Sequence, residues 1–261
     1  MCEPTNTMSL IDLSIGYVKG KEQRVVKQGI NVALFTARLT CLIGNNGAGK
    51  STLLRTISAF QPKLAGNIMM EGKDLDQYTH EELSRHIGVV LTERPTVQNL
   101  TVFEMVAMGR SPYTGFFGRL TSEDRDIVAD SIRLVGIDHL SSRLVGTLSD
   151  GERQKMMIAK ALAQQTSVIF LDEPTAFLDY GSKVDILQLL RLLCHEEGKT
   201  ILLSTHDLEL ALQLADDLWV MMPDALKFGT PRQLADNGVL SSFINKPGLC
   251  FSPETMSIKI V

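Results

Sequence analysis

Between Gly44 and Ser51 the chain reads Gly-Asn-Asn-Gly-Ala-Gly-Lys-Ser, which matches G-x-x-x-x-G-K-[ST], the pattern of a loop that holds phosphates. Gly44, Asn45, Asn46, Gly47, Ala48, Gly49, Lys50, Ser51 and Thr52 are therefore candidate nucleotide-binding residues. The glycines let the backbone curl so that several N–H groups face one phosphate, and the helix N-terminus that must follow adds partial positive charge. Lys50 is suited to neutralise β- and γ-phosphates, and the Ser51 hydroxyl to ligate Mg²⁺. A second piece is Val168-Ile169-Phe170-Leu171-Asp172-Glu173. Four apolar residues bury a strand, and Asp172 emerges at its C-terminal end, where ligands collect in open α/β sheets. Asp172 is placed to hold Mg²⁺, directly or through water, and Glu173 to polarise an attacking water as general base. Taken alone, the same run also describes a solvated strand end. A third piece is Leu148-Ser149-Asp150-Gly151-Glu152-Arg153-Gln154. By itself it is a sound helix cap, Ser149 with Glu152 three residues on, ahead of the amphipathic stretch Met156, Met157, Ala159, Ala161 and Leu162.

These residues need a scaffold, and the hydrophobic pattern predicts one. Leu10 to Tyr17 and Asn31 to Phe35 read as an antiparallel strand pair. Arg38 to Ile43 reads as a strand that feeds the loop, followed by a helix through Ile57. Gly66 to Gly72 and Ile87 to Leu91 read as short strands, and Thr79 with Glu82 as a capping box between them. From about Glu93 to Ala163 the signals are helical, with a second capping box at Thr101 and Glu104 and a helix from Ser122 to near Gly136. After Val168 to Leu171 the α/β rhythm resumes: a helix from Tyr180 to Glu197 stopped by Gly198, a strand from Thr200 to Ser204, a helix from Asp207 to Ala215, and a strand from Leu218 to Met222. Pro231 to Ala235 reads as a helix and Phe251 to Val261 as a final strand. The predicted fold is α/β: a mostly parallel sheet with helices on both faces, an N-terminal antiparallel β portion and an inserted α-helical subdomain. The expected division is one domain, with residues 1–92 and 164–229 as the nucleotide-binding core, 93–163 as the helical subdomain and 230–261 as a short tail.

Composition narrows the class. Apolar residues make up 44% and charged residues 21% of the 261, which is globular rather than disordered. The net charge of −4 disfavours a nucleic-acid partner. No apolar run approaches the ~20 residues that span a bilayer, and the start lacks a secretory signal, so a cytoplasmic location is expected. Cys2, Cys41, Cys194 and Cys250 are too scattered for a metal site, and Cys41 falls in an apolar strand pattern that predicts core packing.

The order of the motifs carries more than any one of them. Phosphate loop, helical insert, Leu-Ser-Asp-Gly-Glu, Phe-Leu-Asp-Glu-Pro-Thr-Ala-Phe-Leu-Asp and then Ser204-Thr205-His206-Asp207 resembles the ATP-binding cassette (ABC) family over about Leu10 to Gly229. The resemblance implies a P-loop NTPase core, ATP hydrolysis with Mg²⁺, and a head-to-tail dimer in which Ser149, Asp150, Gly151 and Glu152 of one copy cover the ATP held by the other. It makes Tyr17 the aromatic that stacks on adenine, Asp179 the dimer-communication residue, and His206 the sensor of the γ-phosphate that steadies Glu173 and the water. It also implies transmembrane permease subunits as partners and, through them, an extracytoplasmic substrate-binding protein, with this chain peripheral on the inner face of the cell membrane. A soluble cassette acting on nucleic acid or ribosomes is the alternative; the single cassette, the lack of a long coiled coil and the acidic balance weigh against it.

The sequence departs from the family pattern in places. Asp150 replaces a signature glycine, and its carboxylate is expected to repel the partner's γ-phosphate and slow closure of the dimer. The family's Mg²⁺-reaching Gln after the strand Ile87 to Leu91 is matched here by Glu93, an acceptable oxygen ligand, or less well by Gln98. Asn45 stands where proline is frequent. The stretch Val102 to Tyr113, followed by Phe116-Phe117-Gly118-Arg119-Leu120, is similar to importer cassettes for iron–siderophore, haem and cobalamin, which implies import of such a cargo.

Overall fold

Alternation of buried and exposed side chains starts at the N-terminus: Met8, Leu10, Leu13 and Ile15 are buried while Ile11 faces solvent. In a computed structural model, which describes residues 5–20, 22–91, 97, 99–115 and 118–260, this pattern becomes strand β1 (Asn6–Lys19), paired antiparallel with β2 (Glu22–Phe35) in the register Leu10↔Val32 and Leu13↔Ile30. The register shifts between Leu10 and Leu13, where Asp12 takes a left-handed backbone (φ 48°) and its N–H donates to Asn31 Oδ1 at 2.9 Å. That bulge restores the burial pattern after one out-of-phase residue. Both strands are longer than predicted: β1 begins four residues earlier, at Asn6, and β2 nine residues earlier, at Glu22. Strand β3 (Leu39–Gly44) is buried at every position and leads through the phosphate loop into α1 (Lys50–Ile57). Strand β4 (Ala65–Met70) pairs with β1, and a Cβ on its Gly66 would lie 2.3 Å from Asp12 O, so glycine is needed where it passes the bulge. The two-residue β5 (Lys73–Asp74) closes this sheet, in the order β2-β1-β4-β5.

The chain forms two compact units, Met1–Gln77 with Arg191–Val261, and Tyr78–Leu190. The second opens with α2 (His80–His86), capped by the predicted Thr79–Glu82 box, and β6 (Ile87–Val90). Helices α3 (Val102–Ala107), α4 (Ser122–Leu134) and α5 (Asp150–Ala163) pack on one another. Their shared core includes Val102, Met105, Val106, Val128, Ile132, Met156 and Ala159, all buried. Each of the three begins with a capping box: Thr101 with Glu104, Thr121 with Asp124, and Ser149 with Glu152. Between α3 and α4, Gly109 lies so close to α5 that a Cβ would sit 2.2 Å from Lys160 O. The adjacent Arg110 is buried; its Nε meets Asp124 Oδ1 at 2.8 Å and its Nη1 donates to Ala163 O at 2.9 Å, while the guanidinium lies 4.0 Å from the centre of the Tyr113 ring. Strand β7 (Val168–Leu171) runs parallel to β6 in the register Ile87↔Val168, and α6 (Tyr180–His195) carries the chain out of this unit.

Back in the first unit, β8 (Thr200–Ser204) and β9 (Asp217–Met221) flank β3 in parallel, with α7 (Leu208–Leu214) between them in sequence, and β10 (Leu226–Gly229) adds antiparallel to β9. The base of β3 is pinned by Leu39 N–H, which donates to Asp216 Oδ2 at 2.8 Å, and by an Arg38–Asp217 ion pair at 2.9 Å. Cys41 and Cys194 are buried in the core, and burial pushes both thiols up. The chain closes with α8 (Pro231–Asp236), α9 (Val239–Ile244) and a hairpin of β11 (Leu249–Ser252) and β12 (Ser257–Ile260). The single strand expected over Phe251 to Val261 is thus two, because Pro253 cannot donate to a ladder and Met256 takes a left-handed turn (φ 51°).

The Arg110–Asp124 pair gives a stability prediction. Asp124→Asn leaves the buried guanidinium without its counter-charge and should lower unfolding free energy by about 3 kcal/mol at neutral pH. Hydrogen bonds from Thr121, and next from Arg110, hold the Asp124 carboxyl below the usual carboxylate range. A depressed folded-state pKa stabilises fully above the unfolded value of about 3.9 and less as pH falls through the folded one. Denaturant titrations should therefore show the wild-type advantage constant from pH 6 to 8 and shrinking below about pH 4; an advantage undiminished in acid contradicts this account.

Candidate functional site

In the first unit, β3 delivers Gly44 to the C-terminal edge of a sheet buried on both sides. There Gly47 (φ 76°) and Gly49 (φ 105°) turn left-handed, and a Cβ on Gly49 would meet Val26 Cγ1 at 2.6 Å. The loop thus requires glycine twice over, by backbone angle and by space. Lys50 is buried and folds back over the loop, its Nζ donating to Gly44 O at 2.9 Å. Helix α1 starts at Lys50 with no acidic residue in its first turn and no side-chain cap, so its N-terminal N–H groups and dipole face the loop interior. Lys50 offers a cation and the Ser51 hydroxyl an oxygen donor at that helix start. Thr52 is buried, and its Oγ1 lies 2.7 Å from the hydroxyl of Tyr17, whose ring is half-exposed on β1. The structure therefore brings Tyr17 to the loop. It also brings His206. Leu42 is level with Ser204 across the β3–β8 ladder, so Gly44 and His206 each emerge two residues later at the same sheet edge. His206 is exposed, and the turn beneath it is fixed by Thr205 N–H to Leu42 O (3.1 Å) and Asp207 N–H to Thr205 Oγ1 (3.0 Å).

The second unit holds the remaining candidates. Asp172 follows fully buried β7, and its N–H donates to Val90 O at 2.9 Å. Glu173 takes a left-handed backbone, φ 49°, uncommon for a residue with a Cβ. Asp179 caps α6: Ser182 N–H and Oγ–H donate to its two carboxylate oxygens at 2.9 and 2.8 Å, and the first of these bonds leads in holding the acid below its usual range. Gly151 sits against that same Ser182, a Cβ there meeting its Oγ at 3.4 Å, so the signature segment and Asp179 are neighbours through one serine. The signature itself is the capping box the sequence predicted. Ser149 Oγ accepts from Glu152 N–H at 3.2 Å and Glu152 Oε2 accepts from Ser149 N–H at 2.8 Å, a bond that holds the Glu152 carboxyl low. A cavity of about 220 Å³ opens beside it, lined among others by His139, Ser149, Glu152, Lys155 and Asp185. Glu93, Gln98, Phe116 and Phe117 lie outside the described residues.

Residues 27–176 match the family model described as ABC transporter. The chain belongs to the ABC transporter family. An uncharacterized ABC transporter ATP-binding protein of Methanocaldococcus jannaschii is 44% identical over 79% of this chain and 70% of its own length. The ferric enterobactin transport ATP-binding protein of Escherichia coli is 38% identical over 79% of this chain and 74% of its own. Among solved structures, a metal-chelate type ABC transporter in an inward-facing conformation superposes with a TM-score of 0.79 at 25% identity, covering 98% of this chain and 97% of that one. As an ABC cassette the chain is an ATPase with the α/β P-loop NTPase fold, as the motif order implied.

Two features of this ABC site escaped the sequence reading. The Tyr17–Thr52 contact crosses between elements and leaves no local signal. Arg153, whose Nη1 meets Asp150 Oδ1 at 2.7 Å, was readable from its i,i+3 spacing, a favourable charge pair on any helix. Tyr17→Ala should weaken ATP binding about fivefold by removing about 1 kcal/mol of ring stacking, whereas Tyr17→Phe should bind like wild type. Equal affinity of the alanine variant, measured by fluorescent-nucleotide titration, removes Tyr17 from the adenine site.

Proposed function

We propose that this chain is the ATP-hydrolysing subunit of an importer for an iron chelate such as a siderophore or haem, or for a cobalamin-like cargo, and drives separate permease subunits. The observation that carries the nucleotide half is the uncapped N-terminus of α1 behind Lys50, at the edge where His206 also emerges. The cargo half rests on relatives named for ferric enterobactin transport in Escherichia coli and for iron(3+)-hydroxamate import in Bacillus subtilis, the latter 36% identical over 85% of this chain and 87% of its own length.

In this reading the loop from Gly44 to Thr52 wraps the triphosphate, with N–H groups of Gly47 to Ser51 as donors and Lys50 shifting from Gly44 O to the phosphates. The Ser51 hydroxyl, the Asp172 carboxylate and Glu93 would hold Mg²⁺, an all-oxygen donor set that suits a small hard cation. When bound, Mg²⁺ neutralises charge that develops on the phosphates. Glu173 accepts the proton of the attacking water and His206 donates a hydrogen bond toward the γ-phosphate. Two copies sandwich two ATP molecules head to tail, with Ser149 to Glu152 of each against the other's triphosphate and Asp179 at the seam. None of the described helices is long and apolar enough to cross a membrane, so coupling would run through permease subunits, with the chain peripheral on the cytoplasmic face and a substrate-binding protein outside.

Glu173→Gln should reduce ATP turnover at least ~100-fold, the low end for a general base, and accumulate an ATP-bound dimer on size exclusion. Full turnover in that variant takes the base role from Glu173. Affinity capture from detergent extracts should return a membrane permease, and cells lacking the chain should lose uptake of labelled ferric chelate; capture of ribosomes or DNA instead overturns the transport reading.

A further inference from the structure

The first turn of α5 holds two carboxylates, Asp150 and Glu152. Both suit the helix dipole, and for that reason both occupy the positive end that another copy's triphosphate would need. Glu152 is committed: its Oε2 takes the Ser149 N–H, and Arg143 Nη1 lies 3.8 Å from its other oxygen. Asp150 is the exposed one, its side chain 43% accessible. Arg153 reaches back one turn to it, with Nη1 at 2.7 Å from Asp150 Oδ1, while Nη2 donates to Leu148 O at 2.9 Å. The Arg153 side chain is only 19% accessible, so the guanidinium is held across the mouth of the helix instead of swinging in solvent. Its two-pronged fork fixes both the direction of the carboxylate and the carbonyl just upstream of Ser149.

We propose that Arg153 is the positioning residue that makes this aspartate-bearing signature compatible with a polyphosphate: it turns the Asp150 carboxylate aside and cancels its charge, so that Ser149 and Gly151 can approach the ATP of a second copy. The inference rests on the dimeric ATPase reading above. It revises the expectation that Asp150 alone repels the γ-phosphate: the charge that reaches the partner is that of the pair, close to zero. Lysine would supply the charge but not the fork, and glutamine the hydrogen bond to Leu148 O but not the charge.

The test uses the full chain with ATP, reading steady-state turnover and, in a Glu173→Gln background, dimer formed on size exclusion. Arg153→Gln keeps a donor for Leu148 O and exposes the Asp150 charge; turnover and ATP-dependent dimer should fall about tenfold or more. Rising salt should recover part of that loss, since an exposed charge is screened. Adding Asp150→Gly to Arg153→Gln should restore both readouts to within about twofold of Asp150→Gly alone. If the double variant stays as impaired as Arg153→Gln, or if Arg153→Gln matches wild type, the proposal is overturned while the ATPase reading stands. A wild-type chain that neither hydrolyses ATP nor dimerises with it overturns both. Circular dichroism melts of each variant separate misfolding from charge: a Gln variant that loses its fold yet is rescued by Asp150→Gly still supports the pair, and one that is not rescued refutes it.

Discussion

Strand β3 carries backbone hydrogen bonds on both edges and is buried along all of its length, so its chain meets solvent only where it ends. At its start, Asp216 and the Arg38–Asp217 pair lock the register against β9. At its finish, Gly44 lies against Met221, a Cβ there meeting that side chain at 3.0 Å, and the next turn must be tight and left-handed. The phosphate loop carries the chain from this strand into α1 through Gly47 and Gly49. Two candidate site residues of the first unit are indexed to it: His206 by the β3–β8 register, and Tyr17 by the hydroxyl of Thr52 in the first turn of α1. A slip of one residue in the β3–β8 ladder would break the alignment of Gly44 with His206.

A second economy runs through the helices. Among the described residues, five of them begin with a hydroxyl residue and an acid or amide three residues later, at Thr79, Thr101, Thr121, Ser149 and Thr230. The pattern satisfies two orphan N–H groups each time and needs no further purpose. At α4 it is joined to the core, because Asp124 also faces buried Arg110. At α5 it coincides with the proposed signature segment, which includes Ser149 and Glu152. Capping has the Ser149 hydroxyl accept from the Glu152 N–H at 3.2 Å, while the Glu152 carboxylate draws hydrogen bonds from the Ser149 backbone and side chain.

The elements were legible where burial is one-sided or complete. The strands β3, β7, β8 and β9 and the helices α1, α4, α5 and α6 stand in the sequence as apolar runs and capped periodic stretches. Strand β10 and helix α9 were not legible: Leu226–Gly229 buries one end only and takes its shape from β9, and Val239–Ile244 is too short to show a period. The phosphate loop, Asp172, Glu173 and the capping box at Ser149 are local in sequence and were read directly. What was hidden is what folding alone juxtaposes: the Tyr17 hydroxyl on Thr52, and Ser182 joining Gly151 to Asp179. The stretch Val102 to Tyr113 divides its residues between core and surface. Gly109 and Arg110 are spent inside, one for close approach to α5 and one for the Asp124 pair, leaving Met108 and Tyr113 as the partly exposed members.

The backbone at Glu173 links these themes. Asp172 follows strand β7, and its N–H still bonds Val90 O as in the ladder to β6, so the strand direction persists to this carboxylate. One residue later the chain turns left-handed, at a cost of about 1–3 kcal/mol for a non-glycine residue. The turn is held by Ala176 N–H on Glu173 O and by burial of Pro174 and Thr175. A continued strand would send successive side chains to opposite faces and separate the two acids. Breaking the alternation here lets Asp172 and Glu173 leave the sheet edge without that constraint, and a glycine, which would relieve the strain, could not carry the carboxylate. In the proposed mechanism the strain at this position accompanies a base next to a metal ligand, whereas the phosphate loop makes its left-handed turns at Gly47 and Gly49.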